Sequence, residues 1–235
     1  NQLGSHSYDA AGNMIDGGFE YDHESMLIEI GGQLAYTYDG DGKRIAKVGT
    51  RLYWMGVGSA ALSESDTTGQ ITDEYIMFGG KRVAHISSAT TNPQMYYYLP
   101  DHLGTTRMLT DAAGVVCYDA DFFPYGMTRQ IYVDTCDQNY KFTGKERDTE
   151  TGLDYFGARY YASNMGRWMS PDWAAKPVAV PYADLIDPQS LNLYAYVRNS
   201  PVTKNDPDGH KLNCSGDQCA RYIAESQKAT GLTWL

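Results

Sequence analysis

A tyrosine–aspartate pair followed by a glycine-rich turn recurs near the start of the chain. The pairs are Tyr8-Asp9, Tyr21-Asp22 and Tyr38-Asp39, spaced by 13 and then 17 residues. Asp-Gly and Gly-Asn pairs between aromatic or apolar runs signal β-hairpins, because glycine adopts the positive φ that tight turns need. Each unit therefore predicts a strand, a turn and a returning strand, and the recurrence predicts an array of such hairpins.

The middle of the chain keeps the same pattern. Residues 75–84 and 108–118 each read as strand, turn and strand, and Asp111 and Gly114 stand where the second turn needs them. Composition agrees, because tyrosine favours pleated, half-buried surfaces and the chain has 20 tyrosines and 24 glycines in 235 residues. Apolar residues at helical spacing are almost absent, so the sequence predicts an all-β array.

Charge and hydropathy exclude several classes of partner. Charged residues make up 20% and hydrophobic residues 42%, which is typical of a folded globular chain. The formal net charge of −10 argues against a nucleic-acid backbone or an anionic membrane as the main partner. No apolar run reaches the ~18 residues of a membrane span. The chain opens on Asn1 with no signal segment, and we expect residues to precede it.

The cysteines give little sign of a metal or a cofactor. The four are Cys117, Cys136, Cys214 and Cys219. No flanking histidines give zinc-ligand spacing, so we expect no metal site, and free thiols or one local disulfide are the better interpretations. Only Cys214 and Cys219 are close in sequence. No phosphate loop or dinucleotide fingerprint is present, so no cofactor is expected.

The pattern changes at residue 140 and again at residue 211. Residues 140–210 are dense in turns and aromatics, and within them residues 174–190 contain three prolines and predict an irregular loop. Beyond them, residues 219–229 predict a helix that ends at Gly231. We therefore expect three parts: 1–139, a β-sheet segment; 140–210, a turn-rich core; and 211–235, a distinct tail.

Together these motifs resemble a known family. The Tyr-Asp pairs resemble the YD repeats of RHS proteins, of the C components of Tc toxins and of teneurins, and residues 140–209 resemble the RHS-associated core that ends the array. The resemblance covers roughly residues 1–210. Its markers are the heptapeptide 101–107, Phe-Thr-Gly-Lys-Glu-Arg-Asp at 142–148, the decapeptide 152–161, Gly-Arg-Trp-Met-Ser-Pro-Asp at 166–172, the octapeptide 192–199 and Asp-Pro-Asp-Gly at 206–209.

The resemblance implies a fold and a function. The fold is a long β-sheet that spirals into a hollow shell, with the core as a plug. The shell encloses the polypeptide that follows the core, usually a toxic effector, and bacterial members cut the chain just after the Asp-Pro-x-Gly motif. The implied partners are the chain's own C-terminal effector segment, upstream RHS repeats, and components of a secretion system or toxin complex; the implied location is secreted or cell-surface. The tail of 25 residues is too short for a domain, so it is the start or a remnant of an effector.

The family's cleavage site resembles an aspartyl protease site with two carboxylates and an arginine. Carried over to this chain, the arginine is Arg159 and the carboxylates are Asp172 and Asp206. Two carboxylates a few ångströms apart cannot both ionise, so one stays protonated to polarise the scissile carbonyl while the other activates water. Asp172 and Asp206 are 34 residues apart, longer than the family pattern, and a loop insertion at 174–190 would explain the excess.

The cleavage motif departs from the family at one position. The motif consists of Asp206, Pro207, Asp208, Gly209 and His210, and the expected scissile bond joins His210 to Lys211. The family usually has leucine where this chain has His210. Histidine would seat poorly in an apolar pocket and leave the site slow or inactive, or would add a proton donor.

Other interpretations of the same residues stay open. Aspartate before proline, or in Asp-x-Gly, is a common turn residue, and Arg159 would then be a structural ion-pair partner. The alternative function is a non-cleaving structural or adhesive cage. A third is carbohydrate binding through tyrosines such as those at 96–98, which in a β-array more often pack between strands. His102 beside Asp101 is better explained as a turn histidine, and Ser170 has no evident base.

Overall fold

The computed structural model is an all-β fold, as the sequence predicts. It describes residues 2–56, 60–88, 92–173, 180–181, 183 and 186–210, together with the backbone of 213–214. Twelve strands form one antiparallel sheet in which every strand pairs with its neighbours in sequence. They are β1 Phe19–Tyr21, β2 Leu27–Ile30, β3 Leu34–Tyr38, β4 Arg44–Lys47, β5 Arg51–Met55, β6 Ala61–Ser65, β7 Ile71–Phe78, β8 Lys81–Ser87, β9 Gln94–Pro100, β10 Thr106–Asp111, β11 Val116–Phe122 and β12 Thr128–Asp134.

The turn-rich core adds shorter elements. A four-stranded antiparallel sheet contains β13 Glu146–Arg147, β14 Asp154–Tyr155, β15 Tyr160–Ala162 and β16 Arg167–Trp168, and a last pair is formed by β17 Lys204–Asn205 and β18 Asn213–Cys214. Within the described residues the helical elements are three short 3-10 turns: Phe142–Gly144, Pro188–Leu191 and Tyr196–Asn199.

The aspartate of each Tyr-Asp pair builds the turn that follows it. Oδ1 of Asp39 accepts the backbone N–H groups of Asp41 and Lys43, both at 2.9 Å, and the N–H of Gly42 donates to the Asp39 carbonyl. Aspartate favours turns because its short side chain satisfies nearby backbone donors in this way. The same pattern recurs at Asp22, Asp66, Asp101 and Asp111.

Both hairpins predicted in the middle of the chain are confirmed. Residues 75–84 lie in β7 and β8, joined at Gly79 and Gly80, and residues 108–118 lie in β10 and β11. Asp111 and Gly114 occupy the turn between β10 and β11, where the Gly114 N–H donates to the Asp111 carbonyl. These turns set the register in which each strand returns.

The core packs onto the first strands of the large sheet. One cluster of buried side chains joins strands β2 and β3 to the four-stranded sheet, and a second lies wholly within the core. The first comprises Met14, Leu27, Tyr36, Leu153, Tyr160, Ala162 and Met169. The second comprises Phe142, Phe156, Tyr161, Trp168, Tyr196 and Val197. Aromatic packing of this kind fixes the relative positions of the segments that carry the candidate site.

A buried ion cluster also joins the core to the sheet. Arg44, only 1% exposed, contacts Glu146 and Asp148 at 2.7 Å each. Lys47 contacts the same two carboxylates at 3.3 and 2.6 Å, and Tyr53 donates to Glu146 at 2.7 Å. Burial alone would raise the pKa of Glu146, but the cations outweigh it and hold the pKa below its usual range. This cluster was not predicted from the sequence, because Arg44 and its two carboxylates lie about 100 residues apart in the chain.

Of the two interpretations left open for the cysteines, the structure selects a disulfide for one pair. Cys117 in β11 and Cys136, just after β12, form a disulfide with their Cα atoms 5.4 Å apart, so they are not free thiols. Their separation of 19 residues gives no hint of pairing, because it is the antiparallel pairing of β11 with β12 that brings them together. Cys219 and the side chain of Cys214 lie outside the described residues.

Removing this disulfide should lower stability. Replacing Cys117 and Cys136 by alanine frees the unfolded chain from a closed loop, so we expect a loss of ~2–4 kcal/mol in the free energy of unfolding. Urea unfolding of the wild-type chain and the double variant measures it. Reductant should lower the stability of the wild-type chain by a similar amount and leave the variant unchanged; equal stability of the two oxidised chains would contradict the prediction.

Several expectations lie outside the described residues. Most of the predicted loop 174–190 and the whole predicted helix 219–229 fall there, as does Lys211. The division at 139/140 and 210/211 stays a prediction.

Candidate active site

Arg159 is the centre of the candidate site. It lies between β14 and β15, is 3% exposed, and its guanidinium stacks over Trp168 with its carbon 4.1 Å from the ring centroid. Its Nη1 donates to the Leu193 carbonyl at 3.1 Å, and its Nε donates to the Gly209 carbonyl. Because the packing and these bonds fix the guanidinium plane, the remaining nitrogen, Nη2, points in a defined direction.

The two predicted carboxylates meet at that nitrogen. Asp172 Oδ2 lies 3.1 Å from Arg159 Nη2, and Asp206 Oδ2 lies 3.8 Å from the same atom. Asp172 follows β16 and its N–H donates to the Leu193 carbonyl at 3.1 Å, while Asp206 follows β17. The separation of 34 residues in sequence therefore does not keep them apart. The arrangement has the composition of an acid–base pair oriented by a cation.

The cleavage motif forms a tight turn around Asp206. Asp206 Oδ1 accepts the N–H groups of Gly209 at 2.7 Å and Asp208 at 3.2 Å. Gly209 has φ of +88°, and a Cβ there would stand 3.0 Å from the backbone nitrogen of Arg159, so glycine alone fits without strain. The turn lies between the paired strands β17 and β18, which hold the backbone on both sides of the expected scissile bond.

The surroundings of Asp206 favour the protonated form of its carboxyl group. It is 5% exposed, and burial raises the pKa of its carboxyl to about 6, although Arg159 and the turn N–H groups act in the opposite direction. A carboxyl with this pKa keeps a proton in mildly acidic solution, in which ordinary carboxyls are ionised. Asp172, 14% exposed at its side chain and paired with Arg159, has the more open environment. The two carboxyls thus lie in different environments, as different acid and base roles require.

His210 contacts the site directly. Its Nδ1 lies 2.7 Å from Asp172 Oδ1, and its ring packs edge-on against Trp173 with centroids 4.5 Å apart. The His210 N–H donates to Asp208 Oδ1 at 3.0 Å. The histidine that stands in place of the family's usual leucine is therefore seated against a predicted catalytic carboxylate.

Lys145 is a site residue that sequence reasoning missed. Its Nζ donates to the Pro207 carbonyl at 2.6 Å, which is a further contact that holds the turn. Burial lowers the pKa of its ammonium group to about 8, while Asp206 and Asp208 act against that shift. Lys145 belongs to the 142–148 motif, which marks it as a candidate, but the motif does not indicate that it contacts Pro207.

A groove of about 1040 Å³ opens beside the site. Its lining includes Asp172, Trp173 and His210, together with the turns at 10–12, 23–26 and 40–43. Water therefore has access to the carboxylate of Asp172.

The remaining candidates from the sequence lie elsewhere. Asp101 Oδ1 accepts two turn N–H groups, and His102 Nε2 contacts the Val202 carbonyl at 2.9 Å, as expected of turn residues. Ser170 is buried. The rings of Tyr96 and Tyr98 lie 5.0 and 5.5 Å from that of His85, so two of the three consecutive tyrosines take part in packing.

Two features are absent from the described part of the chain. No group of three or more histidine, cysteine, aspartate or glutamate side chains there is placed to hold a metal ion. No helix there is both long enough and apolar enough to cross a membrane.

The sheet and its packed, turn-rich core define a YD-repeat shell protein. The chain belongs to the family described as the Teneurin YD-shell, whose model matches residues 4–202. Its membership of an RHS-type shell family, expected from the Tyr-Asp pairs and the core motifs, is thereby confirmed.

Similar proteins include bacterial toxins. Toxin subunit YenC1 of Yersinia entomophaga is 28% identical over 198 residues, 74% of this chain and 19% of the relative. The tRNA nuclease WapA of Bacillus subtilis (strain 168) is 32% identical over 219 residues, 87% of this chain and 9% of the relative. The crystal structure of TcdB2-TccC3 without hypervariable C-terminal region matches with a TM-score of 0.62 at 25% identity, over 86% of this chain and 11% of that one. The chain thus spans less than a fifth of each.

Proposed function

We propose that this chain closes a hollow RHS shell around a C-terminal effector and cuts itself after His210 to separate the two. The observation that carries the proposal is the convergence of Asp172 and Asp206 on one nitrogen of the buried Arg159. The Gly209 carbonyl, one residue before His210, is bound by the same guanidinium. The two carboxyls differ in burial beside one cation, and an aspartyl site that hydrolyses a peptide bond needs an acid and a base side by side.

In the proposed reaction, protonated Asp206 polarises the His210 carbonyl while ionised Asp172 accepts a proton from the attacking water. The water oxygen bonds to the carbonyl carbon. The C–N bond to Lys211 then breaks, the proton on Asp172 passes to the leaving nitrogen, and Asp206 regains its own. The site needs to lower the activation free energy only to about 20 kcal/mol, which corresponds to a rate of ~0.01 per second. This demand is modest because the substrate is tethered and is cut once.

The expected partners follow from this role. The enclosed partner is the polypeptide after residue 210. A passenger that varies between relatives is supported by the tRNA nuclease WapA and by the hypervariable C-terminal region of TcdB2-TccC3. Upstream repeats would continue the sheet at β1, and other toxin-complex or secretion components would deliver the shell outside the cell. The net charge of −10 gives no support for a nucleic-acid partner.

A non-cleaving structural cage is the second candidate. It is favoured by the turn around Asp206, because Oδ1 of that residue is committed to the N–H groups of Asp208 and Gly209, as in the structural turns of the sheet. Under this alternative the Arg159 cluster only anchors the end of the core.

The intact mass of the freshly expressed chain separates the two candidates. Self-cleavage predicts a main product that ends at His210, and an Asp172→Asn variant of full-length mass. A full-length wild-type mass after prolonged incubation at mildly acidic pH would favour the structural cage.

The rate of cleavage should depend on pH through Asp206. Because its pKa is raised to about 6, the protonated form that the reaction needs declines above that pH. We expect the rate to fall by about tenfold per pH unit above about pH 6. Time courses between pH 5 and pH 8, started by refolding, measure this dependence; a rate that rises steadily over the range would contradict the assignment of Asp206 as the acid.

A further inference from the structure

Oδ1 of Asp172, one of the two oxygens that could receive a proton from water, is already occupied twice. Oδ1 accepts the N–H of Trp173 at 2.9 Å and faces His210 Nδ1 at 2.7 Å. The other oxygen, Oδ2, is held at 3.1 Å by the positive charge of Arg159. A carboxylate oxygen has two lone pairs, so both sites on Oδ1 are used.

His210 is the replaceable member of this set. Arg159 and the Trp173 N–H belong to the folded core, whereas His210 is the residue whose own carbonyl forms the expected scissile bond. An imidazole nitrogen this close to a carboxylate oxygen donates an N–H, and it donates more strongly when the ring carries a positive charge. Edge-on packing against Trp173 at 4.5 Å holds the ring in that orientation.

We propose that His210 is a positioning residue that locks Asp172 by occupying Oδ1, so that self-cleavage is slower than it would be with an apolar side chain at this position. This inference rests on the proposed self-cleavage. It identifies the residue before the scissile bond as a built-in regulator of the site that cuts it. A leucine at the same position, as the family resemblance implies, has no donor and leaves Oδ1 open to water.

The test compares the wild-type chain with His210→Gln and His210→Leu. Glutamine keeps a side-chain N–H donor, whereas leucine removes it. We expect His210→Leu to be cut about tenfold faster than wild type, the scale of one hydrogen bond to a charged group, and His210→Gln to stay near the wild-type rate. A change of packing alone would move both variants alike.

One further variant serves as the control, and two outcomes would contradict the proposal. His102→Gln changes a turn histidine whose Nε2 contacts the Val202 carbonyl, outside the Asp206–His210 motif, and should leave the rate at the wild-type value. Equal rates for wild type and His210→Leu, or the same acceleration in both His210 variants, would overturn the lock while leaving self-cleavage intact. Absence of cleavage in all chains would overturn both the lock and the proposed function.

Discussion

Asp206→Asn is expected to slow self-cleavage by about a hundredfold or more, the contribution typical of a general acid or base. Asparagine keeps the Oδ1 that accepts the N–H groups of Asp208 and Gly209, so the turn should persist. What the variant loses is the proton that burial retains on the carboxyl. The measurement is the rate at which the full-length mass disappears after refolding.

Asp66→Asn is the matched control for this variant. Asp66 forms a comparable turn in the large sheet, with Oδ1 bonded to the N–H groups of Thr68 and Gln70 at 2.8 and 3.0 Å. It is remote in sequence from the cleavage motif, so its substitution should leave cleavage unchanged. Equal rates for Asp206→Asn and wild type would show that Asp206 is only a turn residue.

The largest expected effect on stability is at Arg44. Replacing Arg44 by leucine leaves Glu146 and Asp148, both almost fully buried, without the guanidinium that contacts each of them at 2.7 Å. Removing one member of a buried ion pair leaves the charge of its partner buried without compensation. We therefore expect a loss of ~3–5 kcal/mol in the free energy of unfolding. Lys47 compensates in part, because it contacts both carboxylates.

Urea unfolding at neutral pH measures this loss, with Lys43→Met as the neighbouring control. Lys43 contacts the exposed carboxylate of Asp41 at 3.8 Å, and a surface pair of this kind contributes ~0–1 kcal/mol. If Arg44→Leu were as stable as Lys43→Met, the buried cluster would not be what joins the core to the sheet. Because the cluster also positions the core against the sheet, the same variant should slow cleavage after refolding.

The hairpin array was predictable because its determinants are local. An aspartate followed three residues later by glycine, as in Asp39 to Gly42 or Asp111 to Gly114, forms the hydrogen bonds of its turn locally. The turn therefore does not depend on the surrounding sheet. The site residues Arg159, Asp172 and Asp206 were named through the family resemblance. Their spacing alone does not separate a catalytic pair from turn residues.

The features that were missed depend on packing between distant segments. Arg44 meets Glu146 and Asp148 across about a hundred residues of chain, and nothing in a stretch of charged residues tells a buried cluster from a solvated one. Lys145 reaches Pro207 across 62 residues, and the contact of His210 with Asp172 spans 38. The disulfide of Cys117 and Cys136 likewise follows from the pairing of β11 with β12.

The most direct test of the central claim is to locate the new chain end and the origin of its oxygen. The full chain and Asp206→Asn are produced by cell-free translation in water enriched in heavy oxygen, and the C-terminal peptide of each product is sequenced by mass spectrometry. The account predicts a wild-type product that ends at His210 with heavy oxygen in its carboxylate, and an uncut Asp206→Asn chain. A chain end elsewhere, or the same labelled end in both proteins, would contradict it.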